Sequence, residues 1–238
     1  MKIARRKLLK LGAFALGTGV VAKVTDSKVN SAPKTETIVA FEELGEDSTP
    51  DQVLEALLAG NKRFVANNPE APNQDFSRLR EVSEGQKPLV SILSCSDSRV
   101  PLSIIFDRGL GDLFVIRDAG NIATPEEIGS IEYGAFILGT PVVMVLGHEK
   151  CGAVKAALAG KPLPGQIGSI VEAIRPAIDR DNQNDSEEFY VETIKNNVKL
   201  QVERVNNSFL IHDLVGQGKC KVVGAYYSLK TGEVSLVS

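Results

Sequence analysis

The chain has 238 residues, 43% of them hydrophobic and 24% charged, a balance that excludes a disordered chain and allows a well-buried core. Its net charge of −3 hides an asymmetry: residues 1–22 hold five basic and no acidic groups, and the rest carries 22 basic against 30 acidic groups, a net of −8. So acidic a body is a poor ligand for nucleic acid or anionic lipid, and three cysteines are too few for a disulfide framework.

Residues 1–22 read as an export signal. The basic start, with Arg5 and Arg6 adjacent, precedes an apolar run from Leu11 to Ala22. That run is shorter than the ~20 residues a membrane span needs, so no stable span is expected. Val20 and Ala22 supply small residues for a cleavage site. The arginine pair is similar to a twin-arginine signal, which implies the periplasm or another extracytoplasmic compartment. Residues 23–47 are polar and without period, and read as a flexible linker; the folded domain is expected over 48–238.

Thr49-Pro50-Asp51-Gln52 starts a helix: a capping threonine, proline at the first helical position and glutamine three residues after the cap. Val53, Leu54, Leu57, Leu58 and Phe64 give it an apolar face. Residues 66–87 form a polar stretch. Leu89–Leu93, Leu113–Ile116 and Pro141–Leu146 are short apolar runs that read as buried strands. Thr124-Pro125-Glu126-Glu127 repeats the helix start, followed by Ile128, Ile131, Ala135 and Leu138 and closed by Gly139. A long helical region is expected from about Gly168 to Val215, then a last strand from Lys221 to Leu229 with a turn at Lys230-Thr231-Gly232. Strands apolar on both faces and separated by helices predict a single α/β domain with a mostly parallel central sheet flanked by helices.

Two of these strands end in residues that carry chemistry. The first runs into Cys95-Ser96-Asp97-Ser98-Arg99-Val100-Pro101, the third into Gly147-His148-Glu149-Lys150-Cys151-Gly152. Ligands of open α/β sheets bind beyond the carboxyl ends of the strands. Two cysteines and one histidine at such ends make a zinc site with a fourth position open, the catalytic type. The third cysteine, Cys220, opens the last strand with no ligand-type residue beside it and reads as core, as His212 reads as structural.

These two motifs, about fifty residues apart, resemble the β-carbonic anhydrase family, and Arg117-Asp118-Ala119-Gly120-Asn121 between them is similar to that family's R-N-A-G-N, with Asp118 where asparagine is usual. The resemblance runs from about Ser48 to Ser238. It implies the β-carbonic anhydrase fold and one Zn2+ per chain held by Cys95, His148 and Cys151. It implies reversible hydration of CO2 to bicarbonate and a proton through zinc-bound hydroxide. Asp97 and Arg99 are then a catalytic dyad, with Arg99 holding Asp97 off the metal; in an alternative state Asp97 is itself a zinc ligand. Gln86, nine residues before Cys95, stands where the family places a substrate-orienting glutamine. The family also implies a homodimer or higher homo-oligomer, with the Thr49–Phe64 helix as a candidate exchange element. A bicarbonate sensor on the same fold, or a related hydrolase acting on COS or CS2, uses the same residues. A thiol redox site predicts C-x-x-C and a dinucleotide site G-x-G-x-x-G after the first strand; the sequence has neither.

Overall fold

The computed structural model describes residues 41–45 and 47–237. The expected export signal (residues 1–22) and residues 23–40 of the expected linker lie outside the described residues. Among the described residues no helix is long and apolar enough to cross a membrane.

Five strands form one sheet: β1 (Val90–Cys95), β2 (Leu113–Asp118), β3 (Val142–His148), β4 (Lys221–Tyr227) and β5 (Val234–Val237), in the order β2-β1-β3-β4-β5. The first four run parallel, and β5 pairs antiparallel with β4. β1 and β3 are buried along their whole lengths, as continuous apolar runs require. The fold class read from the sequence holds, with the antiparallel edge strand β5 as an addition.

α1 (Pro50–Val65) begins as its sequence predicts: the Thr49 hydroxyl accepts the Gln52 N–H and the Gln52 side chain accepts the Thr49 N–H. Its buried Val53, Leu54 and Leu57 pack on the sheet face that carries Val90, Ile92, Val142, Met144 and Leu146. Each such side chain contributes about 1.5–3 kcal/mol. The apolar face of α1 thus packs on the sheet of its own chain. Short helices were not legible, among them α2 (Phe76–Val82) inside the polar stretch and α3 (Leu102–Ile105) just after the first motif.

The opposite face is covered by α4 (Pro125–Glu132), which runs on into a π-helical turn at Tyr133–Ile137, and by α5 (Gly152–Ala159), α6 (Ile167–Ile174), α7 (Glu187–Asn206) and α8 (Phe209–Gly216). The expected long helical region is therefore three helices, broken after Ile174 and at Asn207. α7 lies directly on β3 and β4 because two glycines make room. A Cβ on Gly147 would stand 2.6 Å from Val198 Cγ2, and one on Gly224 2.7 Å from Val198 Cγ1.

The packed body reaches upstream of Ser48. Phe41 is 5% exposed and lies in the α1-side core, with its ring under the buried Arg108 guanidinium at 3.9 Å. Arg108 also donates to Ala56 O at 3.1 Å. Phe41 therefore covers a buried cation as well as filling space. Replacing Phe41 by Ala is expected to destabilise the fold by about 3 kcal/mol in urea unfolding; a change below about 0.5 kcal/mol would show that Phe41 belongs to the linker.

Candidate metal centre and its comparisons

Cys95 ends β1, His148 ends β3, and Cys151 caps α5. Parallel pairing of β1 with β3 sets these ends side by side. All three residues are buried, and their ligand atoms lie within 4.8 Å of one another. Further bonds hold the trio in place. The Gly120 N–H donates to Cys95 Sγ at 3.3 Å, and Gly120 has φ +94°, where a Cβ would press on Ile174 Cδ1 at 2.8 Å. His148 Nδ1 bonds the Glu149 carbonyl at 2.9 Å. The Tyr190 hydroxyl donates to the Cys151 carbonyl at 2.6 Å.

The donor set fits a soft divalent cation. Cys151 donates its S–H towards Cys95, and with help from His148 and the Gly120 N–H this holds the Cys95 thiol well below its usual range. The same hydrogen bond, with burial, pushes the Cys151 thiol up. Two buried thiols this close share a proton; a divalent cation between them is what lets both ionise. His148 Nε2 is fully buried and has no hydrogen-bond partner. With Nδ1 committed to the Glu149 carbonyl, that nitrogen is the one left to ligate.

Asp97 stands beside the trio. Its Oδ1 accepts the Arg99 backbone N–H and Nε, both at 2.9 Å, and its Oδ2 accepts Arg99 Nη2 at 2.8 Å. Arg99 is pinned in turn by Nη2 donating to Lys150 O at 3.2 Å. The Arg99 side chain holds the Asp97 carboxyl well below the usual carboxylate range. Asp97 Oδ2 lies 3.9 Å from His148 Nε2. Asp97, expected as an alternative ligand, does not join the gathered donors, because Arg99 occupies both of its oxygens.

Gln86 is not brought to this site. It is exposed in the loop before β1, and the whole strand, about 17 Å long, separates it from Cys95. Sequence distance to Cys95 could not reveal that the two residues stand at opposite ends of one strand. His212 is exposed on α8 and is not among the groups around the trio.

Three residues to which the sequence reading gave no role also matter. Arg117 reaches across from β2 and donates to Cys95 O at 3.1 and 2.6 Å and to Asp97 O at 2.8 Å, clamping the segment that carries both. Its place in the R-D-A-G-N run was the available signal. Glu149 and Tyr190 had none, because what they bond is set by tertiary packing.

The family model for carbonic anhydrase matches residues 90–234. Carbonic anhydrase 2 of Mycobacterium tuberculosis is 38% identical over 197 residues, which cover 80% of this chain and 94% of that protein. The carbonic anhydrase of Mycolicibacterium smegmatis is 37% identical over 200 residues, 81% of this chain and 95% of its own. Among solved structures, the β-carbonic anhydrase CafA of Aspergillus fumigatus superposes with a TM-score of 0.65 at 26% identity, covering 78% of this chain and 90% of that one. The β-carbonic anhydrase CcaA does so with 0.62 at 28%, covering 77% and 86%. The chain belongs to the β-class carbonic anhydrases. It is an enzyme of the lyase class.

Asp118, where the chain departs from the family's asparagine, is half-buried at the end of β2. Its Oδ1 accepts the Ile122 N–H at 2.9 Å, and its Oδ2 is buried with no hydrogen-bond partner. Burial, with Glu127 and Cys95 nearby, raises its carboxyl to about 7. An unfolded aspartate titrates near 4. The folded chain therefore keeps a proton that the unfolded chain has lost, and stability falls as pH rises from about 4 to about 7, then levels. Asp118→Asn keeps the shape and removes this titration. The melting temperature of the variant should gain on the parent between pH 5 and pH 8; a difference independent of pH would contradict the raised carboxyl.

Proposed function

We propose that the chain catalyses reversible hydration of CO2 to bicarbonate and a proton, with one Zn2+ held by Cys95, His148 and Cys151. The observation that carries this is the side-on Asp97–Arg99 pair set against three buried ligand atoms. When bound, zinc supplies a Lewis acid that makes water nucleophilic near neutral pH.

The chain's own residues do the rest. Arg99 keeps Asp97 ionised and holds both of its oxygens beside the ligand trio, and Arg117 fixes the backbone of the same segment. Asp97 Oδ2, towards His148 Nε2, retains a free lone pair. It can accept one proton of the attacking water and so aim the oxygen lone pair at the CO2 carbon. Arg99 balances the charge on Asp97, so this acceptor adds little net negative charge beside two thiolates.

We infer that the chain works as a homo-oligomer. β2 is an edge strand with its outer backbone groups unpaired within the sheet. Exposed Val115, Tyr133, Phe136 and Ile137 lie on it and beside it. Such an edge is suited to a second copy, and only from another copy could Gln86 reach a site. We also propose export to an extracytoplasmic compartment, on the strength of Arg5-Arg6 and the short apolar run after them.

Stopped-flow CO2 hydration with zinc counted in the same sample tests the reaction. Asp97→Ala is expected to retain zinc and to lose at least about 100-fold in rate. An unchanged rate overturns the role of Asp97, and a zinc-loaded parent with no hydration overturns the reaction. Fractionation of cells making the Arg5→Lys, Arg6→Lys double variant tests export: the protein is expected to stay in the cytoplasm, and unaltered export would exclude the twin-arginine route.

A further inference from the structure

Glu149 is a carboxylate only 6% exposed, and the chemistry above gives its side chain no task. It is nevertheless held on three sides. Its Oε2 accepts the Ser228 hydroxyl at 3.1 Å and the Lys230 N–H at 3.0 Å, both from the turn that joins β4 to β5. Its own N–H donates to the carbonyl of Tyr227, the last residue of β4, at 2.8 Å. Its carbonyl is the oxygen that meets His148 Nδ1 at 2.9 Å.

The turn is anchored in turn by α1. Asn61, 3% exposed, donates Nδ2 to Gly232 O at 2.9 Å and to Ile105 O at 3.1 Å, and its Oδ1 accepts the Val234 N–H at 2.8 Å. On the other side of Glu149 stands Lys150 with φ +55°, a left-handed conformation that a lysine keeps only where its surroundings impose it. A rotation of the Glu149–Lys150 peptide would relieve that strain and carry the Glu149 carbonyl away from His148.

We infer that Glu149 is a positioning residue for the metal: its carboxylate, keyed into the Ser228–Lys230 turn, holds the peptide carbonyl that fixes the His148 tautomer and leaves Nε2 to ligate. This rests on the reading of Cys95, His148 and Cys151 as the zinc ligands. A histidine whose Nδ1–H has lost its acceptor is free to turn or to change tautomer, and the metal loses a donor.

The test is zinc release from the full zinc-loaded chain to an excess of a chromogenic chelator, with the visible spectrum of the cobalt-substituted protein as a second readout. Glu149→Ala is expected to release zinc about 10- to 100-fold faster than the parent and to shift the cobalt bands. In Glu149→Gln the amide oxygen can accept the same two hydrogen bonds, and release should stay within about threefold of the parent, the size of a retained neutral contact. Ser228→Ala removes one of the two bonds and disturbs the fold less, and should fall between them. Parental release rates in Glu149→Ala and Ser228→Ala overturn the proposal, even if their melting temperatures drop, because a merely structural role would lower stability alone. Equal losses in Glu149→Gln and Glu149→Ala also overturn it, since charge and not position would then be the cause. A parent that holds no zinc, or holds it equally well after Cys95→Ser, overturns the ligand reading and this proposal with it.

Discussion

Parallel pairing of β1 with β3 brings Cys95 and His148 together at the carboxyl end of the sheet although they lie far apart in the chain. A parallel pair cannot be closed by a tight turn; it needs a crossover, and here the crossover carries β2, α4 and the π-helical turn. α4, the π-helical turn and the helices α5 to α8 cover one face while α1 covers the other, so β1 and β3 are buried throughout. Burial of both strands fixes their register through packing as well as backbone hydrogen bonds. The relative position of the two ligand motifs is therefore a property of the whole core, not of the loops that carry them.

Charge at the site is arranged around that frame. Two thiols and an imidazole sit where water is excluded, a costly place for anions unless a cation joins them. Asp97 lies at the more open rim. Its partner Arg99 is half exposed, so the pair avoids the desolvation penalty a buried ion pair would carry. Arg117 adds a second guanidinium but spends it on backbone carbonyls, ordering the Cys95–Asp97 segment without competing for the carboxylate. Asp118 is the discordant group. Its buried, partly unpaired carboxyl stands where an amide would carry no charge.

What could be read from the sequence was what local chemistry decides. Thr49-Pro50 and Thr124-Pro125 announce helix starts because cap and proline act within one turn. β1 and β3 announce themselves because strands buried on both faces keep mostly apolar residues, with only the small Ser91 and Ser94 interrupting the run in β1. The ligand trio was legible because Cys95 and His148 end such strands and Cys151 follows three residues after His148. α2 was missed because all of its residues are at least partly exposed, leaving no buried stripe. α5 was missed because Gly152-Ala153-Val154 continues a motif that reads as a loop. β5 is only four residues long and owes its strand geometry to β4. Gln86 stands apart from the trio in this chain, because its sequence distance to Cys95 does not say at which end of β1 it lies. Glu149 and Tyr190 act through bonds 39 to 81 residues away in the chain, a range no local pattern reaches.

The seat of α7 has an evolutionary corollary. Gly147 and Gly224 lie on neighbouring strands, and a Cβ on either would strike the same side chain, Val198. Drift at these three positions is therefore contingent in order. A larger residue at 147 or 224 becomes tolerable only after 198 has shrunk, and a smaller residue at 198 leaves a void until one of the strands grows into it. Because Gly147 immediately precedes His148, such an exchange would also move the strand end that holds a ligand. The two glycines and the valine should thus be inherited as a block, a covariation imposed by steric exclusion and not by any contact with substrate.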